Sequence, residues 1–237
     1  MTLFSQTSVE DSNWNLYLSY QNATRCVAHN GLVYGVLSGN LISYDTETEE
    51  VRLFSSLNGL GSKGIYDIAY SDTHDCLVVL YEDYHIDLIY DDGDRIVGIP
   101  GLKGTEQAKG RINSLFVGKD NIIVSNNSGI GVISLRYHNV AGFYTFGEIV
   151  TSAAEWQDSW WVSTAKALYV CKISDNPYDR NSWKFFQTMK VHQFAVMGNH
   201  LYANIHMSED ESLGYMCFAV MDPADQKFYR IAEGAYT

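Results

Sequence analysis

Between Asn30 and Asn199 the alternation of polar and apolar positions repeats one short phrase five times: Asn or Asp, a variable residue, then three residues of which at least two are apolar. The copies begin at Asn30, Asp75, Asp120, Asp158 and Asn199, at spacings of 45, 45, 38 and 41 residues. A strand-like period near forty predicts four-stranded propeller blades, so the expected fold is all-β with about five visible blades. Each phrase extends both ways. First strands are expected over Thr24–His29, Ile65–Tyr70, Ile112–Val117, Thr151–Trp156 and Val191–Val196, each followed by the second strand of its phrase. Third strands are expected over Leu41–Tyr44, Ile86–Tyr90, Gly131–Leu135, Ala167–Cys171 and Met216–Met221. More polar fourth strands follow over Val51–Phe54, Arg95–Ile99, Val140–Tyr144, Trp183–Phe186 and Phe228–Ile231, as suits an outer edge in water. The repeating Asx residues read as turn residues whose side chains hydrogen-bond the local backbone.

These boundaries place the blades at about 24–57, 65–101, 111–147, 150–187 and 190–234, in one domain over 13–237. Blade five carries an insertion over 206–212, and Trp14-Asn15-Leu16-Tyr17-Leu18 resembles a fourth strand with no first three before it. That spare strand, at 14–20, leaves open whether the five blades belong to a larger, seven-bladed ring or whether two copies complete one another as a homo-oligomer. Residues 1–12 read as a flexible leader or the remnant of a signal peptide.

Seventeen Tyr and three Pro in 237 residues suit packed sheets. A net charge of −12 argues against a nucleic-acid partner, which needs a basic face. No stretch has the length of a membrane span. Cys26, Cys76, Cys171 and Cys217 each fall in an apolar run without metal-ligand spacing, and are expected as buried structural thiols.

Catalytic signals are sparse. There is no Gly-x-Ser-x-Gly elbow, and the seven His are scattered: six flank turns or lie in loops or strand starts, and His192 falls on a predicted first strand. Asp67 and Glu155 are the carboxylates on first strands, and as a pair they would support a glycan hydrolase, the enzymatic alternative. Asp91-Asp92-Gly93-Asp94 reads as a hairpin turn, not a calcium loop. Trp156, Trp160 and Trp161 are expected to pack between blades. No metal or cofactor is expected, and the chain is expected not to be an enzyme.

The connections that lead from one blade to the next, with the turns between second and third strands, form the expected binding rim. Lys63, Lys103, Lys109 and Arg111 fall in two of these connections, in a chain with only 16 basic residues. Tyr84, His85, Asn126 and Asn127 occupy the companion turns. A positive rim on an acidic body would attract an anionic glycan or a carboxylate-bearing partner.

The stretch Ser38–Asp45, followed by Phe54–Leu60 and Ile65–Ile68, resembles the two-component-regulator propeller repeat. Trp14-x-x-Tyr17-x-Ser19-Tyr20, His85–Ile89, Arg111–Asn113, Gly129–Val132 and Tyr144–Gly147 resemble the N-terminal propeller of PorZ-like proteins of the type IX secretion system. The likeness covers about residues 14–150. It implies an exported, non-enzymatic binding or scaffold propeller of Bacteroidetes-type bacteria, in the periplasm or at the outer-membrane surface. PorZ-like proteins join a cell-surface attachment complex and handle anionic lipopolysaccharide, so protein partners, an anionic glycan, or both are implied. They are longer, with two propellers and a C-terminal domain. The alternative implied by the sensor family is an extracellular ligand-sensing propeller ahead of a kinase.

Overall fold

The computed structural model describes residues 22–90, 93–108, 110–206 and 215–235. The leader at 1–12, the spare strand at 14–20, Asp91, Asp92, Lys109 and residues 207–212 of the insertion lie outside the described residues.

Five four-stranded sheets follow one another along the chain, each a meander in sequence order: the blades of a β-propeller. Blade one holds β1 (Ala23–His29), β2 (Leu32–Leu37), β3 (Asn40–Asp45) and β4 (Val51–Phe54). Blade two holds β5 (Ile65–Ser71), β6 (Cys76–Tyr81), β7 (Ile86–Tyr90) and β8 (Arg95–Ile99). Blade three holds β9 (Ile112–Val117), β10 (Asn121–Asn126), β11 (Gly129–Ser134) and β12 (Asn139–Thr145). Blade four holds β13 (Val150–Trp156), β14 (Ser159–Thr164), β15 (Leu168–Lys172) and β16 (Lys184–Gln187). Blade five holds β17 (Lys190–Met197), β18 (His200–His206), β19 (Tyr215–Asp222) and β20 (Lys227–Ala235).

The chain divides into two compact units. The first contains blade one and blade two up to Gly98, and the second takes Ser71–His74 and everything from Ile99 onward. In the first unit the core is Tyr34, Val36, Leu41 and Phe54 of blade one against Ile68, Leu77, Val79, Tyr81 and Ile89 of blade two. In the second, the first strands lie side by side, β9 against β13 and β13 against β17. Its core runs through both contacts, from Phe116, Ile123 and Val132 past Trp160 and Trp161 to Leu201, Ala203 and Met221.

Strand alternation gives every blade two faces. The forward face of blade four holds the register rows Ser152–Ser163–Leu168 and Ala154–Trp161–Val170, and blade five covers it. The rear face of blade five, Phe194–Ala203–Ala219 and Leu201–Met221–Phe228, supplies the cover.

Where strands differ from the sequence expectation, local hydrogen bonds give the reason. β15 starts at Leu168, not Ala167, because Ala167 closes a tight turn: its N–H donates to Thr164 Oγ1 at 3.0 Å and its carbonyl accepts from Thr164 N–H at 2.8 Å. β16 starts at Lys184 because Trp183 N–H donates to Arg180 O and its indole N–H to Pro177 O at 2.8 Å.

The turn Asx residues act mainly through backbone shape. Asn30, Asp75 and Asp158 take φ of 45°, 48° and 53°, a left-handed conformation that Asn and Asp tolerate. The turn carbonyls of Gly31, Asp120 and Asp158 each accept the N–H that follows a third strand, at 2.9 Å. Two of these carboxylates reach side chains, which corrects the expectation of local backbone bonding. Tyr70 OH donates to Asp75 at 2.6 Å, and His74 Nε2 lies 3.2 Å from Asp120. Cysteine burial is also corrected in part: Cys76, Cys171 and Cys217 are buried, but Cys26 is exposed on β1. Burial pushes the Cys76 thiol up to about 11, so it is inert at neutral pH. Among the described residues no helix is long and apolar enough to cross a membrane.

Candidate binding rim

The rim residues read from the sequence divide between the units: Lys63, Tyr84 and His85 lie in the first, Lys103, Arg111, Asn126 and Asn127 in the second. In the first unit the connection from β4 to β5 meets the β6–β7 turn. Glu82 N–H donates to Gly64 O at 2.8 Å and Ser62 Oγ to Asp83 Oδ2 at 2.6 Å. Beneath them sits a carboxylate that the sequence reading passed over. Asp87 is fully buried on β7, and accepts from Tyr81 OH at 2.6 Å, from Gly61 N–H at 2.8 Å and from His85 Nε2 at 2.9 Å.

Three donors satisfy a buried charge that would otherwise cost several kcal/mol, of order 3–5, to strand without partners. The Tyr81 phenol is pushed far up by its own burial and by Asp87, so it stays a donor. Gly61 is required here because a Cβ would come within 2.3 Å of His85 Nε2. His85 is thus committed to Asp87, and Tyr84, 3% exposed, points inward. Of the three first-unit candidates only Lys63 is exposed. The signal for Asp87 was available: His85, just before β7, and Asp87 within it are two apart in extended chain, hence on one face, in an otherwise apolar run.

In the second unit the connection from Pro100 to Arg111 closes over the β10–β11 turn. Leu102 is buried, and its side chain fills the space where a Cβ on Gly131 would lie, 2.4 Å away. Asn126 is fully buried and holds the turn: its Oδ1 accepts from Ser128 N–H at 2.8 Å and Gly129 N–H at 3.0 Å. Its Nδ2 donates to Gln107 O at 2.8 Å, tying the connection to the turn. Asn127 is exposed and accepts from Asn113 Nδ2 at 3.1 Å, an amide that also donates to Val150 O of blade four at 2.7 Å. Lys103 and Arg111 are exposed on this fixed segment. Asn126 is therefore a brace, whereas Lys103, Arg111 and Asn127 are displayed.

The carboxylates considered for hydrolysis have partners within their own units. Arg25 Nε donates to Asp67 at 2.9 Å, linking blade one to blade two. Asn121 Nδ2 donates to Glu155 at 3.0 Å, linking blade three to blade four. Burial raises both carboxyls above their ordinary range, more than Arg25 and Asn121 lower them. Trp156, Trp160 and Trp161 are buried between blades. Among the described residues no three His, Cys, Asp or Glu stand together as a metal site.

A long blade-four loop, Ile173–Trp183, was not legible in the sequence as an ordered element. It packs beside the end of β12: Tyr178 meets Tyr144 edge-on at 5.0 Å, Trp183 meets Phe146 at 4.8 Å, and Arg180 donates to Phe146 O at 3.2 Å.

Comparison with solved structures gives PorZ of Porphyromonas gingivalis, a surface component of its type IX secretion system, at 21% identity and a TM-score of 0.80. The alignment covers 94% of this chain and 30% of that one, so the chain spans about a third of PorZ. The extracellular domain of a putative one-component system of Bacteroides thetaiotaomicron matches at 16% identity and a TM-score of 0.58, covering 76% of this chain and 26% of that one. A protein of unknown function from the same organism matches at 12% identity and a TM-score of 0.56, covering 92% and 59%. Among curated proteins no match was found. The sequence model of the type IX secretion PorZ N-terminal β-propeller domain matches residues 33–184, well over half of the chain, and the chain belongs to that family.

Proposed function

We propose that the chain is an exported, non-catalytic binding module of the PorZ type, acting at the bacterial surface on an anionic glycan such as lipopolysaccharide, on a protein of a surface complex, or on both. The observation that carries this reading is the family match, joined to two exposed cations, Lys103 and Arg111, on a braced segment of a chain whose net charge is −12. Lys109, on the same connection, belongs to the proposed surface by sequence. Cations held on an ordered segment attract phosphate or carboxylate groups without first ordering a loop. That Asp67 and Glu155 each engage a partner in the preceding blade favours a stitching role over acid–base chemistry.

The test is binding of lipopolysaccharide fragments by the chain carrying Lys103→Ala, Lys109→Ala and Arg111→Ala. Affinity should fall about tenfold or more, and its salt dependence should flatten. Undiminished binding removes these residues from the surface. A second reading, a ligand-sensing propeller, is favoured by the likeness to the one-component system's extracellular domain. A membrane span and signalling domain in the parent reading frame would select it.

A further inference from the structure

At the outer corner between blades three and four, three aromatic rings stand open beside a guanidinium. Tyr169 of β15 and Phe185 of β16 are cross-strand partners on the rear face of blade four. Phe146, just past β12 of blade three, meets Tyr169 at 6.2 Å, and Tyr169 meets Phe185 edge-on at 6.3 Å and 78°. Edge-on contacts leave ring faces open that stacking would hide. Phe185 is 60% exposed, and Phe146 and Tyr169 are half-buried. The guanidinium is fixed in place. Arg180 Nη2, on the blade-four loop, donates to Phe146 O at 3.2 Å and lies 3.6 Å from where a Cβ on Gly147 would stand. The turn that presents it is capped by Asp179, whose Oδ1 accepts from Asn181 N–H at 2.9 Å, and is tied to β16 by Lys184 Nζ donating to Asn181 O at 2.6 Å.

The surroundings define what such a corner takes. Thr145 and Gly147 on one side, and Asn181, Lys184 and Gln187 on the other, are all exposed, so the apolar patch ends at the rings. A stable protein partner covers about 800 Å² on each side, far more than this. Open ring faces bordered by donors match a sugar: its C–H groups pack on the aromatic faces, and its hydroxyls accept from a guanidinium that has five N–H donors. The corner also continues the braced rim. Phe146 N–H donates to Ser128 O at 3.2 Å, in the turn that displays Asn127, and Asn127 accepts from Asn113, two residues from Arg111. One ordered turn therefore joins the cationic segment to the rings.

We infer that Phe185, Tyr169, Phe146 and Arg180 form a sugar-ring subsite, where an uncharged pyranose of a glycan stacks on the open ring faces and its hydroxyls accept from Arg180. The inference rests on the glycan reading given above, and adds to it a contact that salt does not screen.

Calorimetric titration of the full chain with lipopolysaccharide fragments, at about 0.1 M and about 1 M salt, tests this. Between the two the Debye length falls from about 10 Å to about 3 Å, which removes the attraction of the exposed cations. Phe185→Ala should weaken binding about five- to tenfold at both salt concentrations. Phe185→Leu, which keeps the apolar bulk on the edge strand and lacks the ring, should weaken it nearly as much, and Phe185→Trp should keep it. Tyr137→Ala, removing a ring 69% exposed at the opposite end of blade three, should change nothing. The variant with Lys103, Lys109 and Arg111 changed to Ala should lose affinity at low salt and match the unaltered chain at high salt. Circular dichroism checks each fold. Undiminished affinity in Phe185→Ala and Phe185→Leu overturns the subsite, leaves the glycan reading standing and hands the corner to a protein partner. A deficit that vanishes at high salt, or an equal one in Tyr137→Ala, also overturns it. A triple variant unimpaired at low salt, beside an impaired Phe185→Ala, overturns the cationic surface and upholds the subsite. Fragments that bind at neither salt concentration overturn both.

Discussion

Where blade one meets blade two, the forward rows present Arg25, Tyr34 and His29 to Asp67 and Tyr70. Arg25 pairs with Asp67, and the His29 ring stacks on Tyr70 at 3.9 Å. Where blade four meets blade five, the equivalent rows present Ala154, Trp161 and Ser163 to apolar residues, with neutral hydroxyls holding the backbone of Val191. The first contact keeps a charged group at 45% side-chain exposure, and pairs this open contribute at most about 1 kcal/mol. The second removes large aromatic area from water, for which the gain is several-fold larger per residue. One blade geometry therefore tolerates two chemistries, and they should differ in sensitivity to truncation, salt and pH.

The largest test of the contrast is Trp161→Ala. Trp161 is buried, meets Phe186 at 5.0 Å and donates its indole N–H to Trp156 O at 3.3 Å. Its loss should cost about 3–5 kcal/mol in denaturant unfolding, whereas Arg25→Met in the first unit should cost less than about 1 kcal/mol and only at low salt. Equal costs would erase the distinction.

Asp87→Ala comes next. It strands Tyr81 OH, Gly61 N–H and the His85 ring, and should lower stability by about 3 kcal/mol. Asp87→Asn, which keeps one acceptor oxygen, should recover part of that.

A finer test compares two serines at one register position. Ser163 Oγ accepts from Val191 N–H, but Ser125 Oγ, its counterpart on blade three, is buried without a hydrogen-bond partner. The adjoining bulge residue is Thr151 on blade four and Asn113 on blade three, and both donate to the carbonyl just before the bulge in the next blade's first strand, Val191 O and Val150 O. The Asn amide reaches one bond further than the Thr hydroxyl. Ser163→Ala should cost about 1–2 kcal/mol and Ser125→Ala close to nothing, by thermal unfolding.

The smallest effect has the opposite sign. Burial raises the Glu155 carboxyl, so the folded state holds its proton more tightly than the unfolded chain does. Stability from this group is present below the unfolded value of 4.5 and is lost as pH rises through the raised folded value. Glu155→Gln, which still accepts from Asn121, should raise Tm by about 1–2 °C at pH 7 and lose that advantage on acidification to about pH 4. A variant that is equally stabilising at both pH values would place the effect elsewhere.

The blades were legible because the Asx turn demands left-handed backbone at fixed intervals, and few residues accept it. The repeat at Asn30, Asp75 and Asp158 records that demand in composition. What each rim residue does was less legible. Asn126 and Asn127 are adjacent and chemically identical, yet one is fully buried as a brace and the other is displayed; only the path of the Pro100–Arg111 connection separates them. Tyr84 and His85 read as turn residues, but Tyr84 is buried and His85 is drawn inward by Asp87, whose glycine neighbours Gly61 and Gly98 sit 26 and 11 residues from it along the chain. Contacts of that separation leave no local period to detect.

Leu102 carries a further consequence. It anchors a segment that is also held by turn bonds from Lys103 N–H to Pro100 O and from Thr105 N–H to Leu102 O, and by the Asn126 amide. Because these fastenings exist before any encounter, docking on this segment forfeits little backbone freedom and needs no slow rearrangement, so association rates should follow collision and charge steering alone. Gly131→Ala, by expelling Leu102, would convert that rigid segment into a loop that any partner docking there must capture in the right shape.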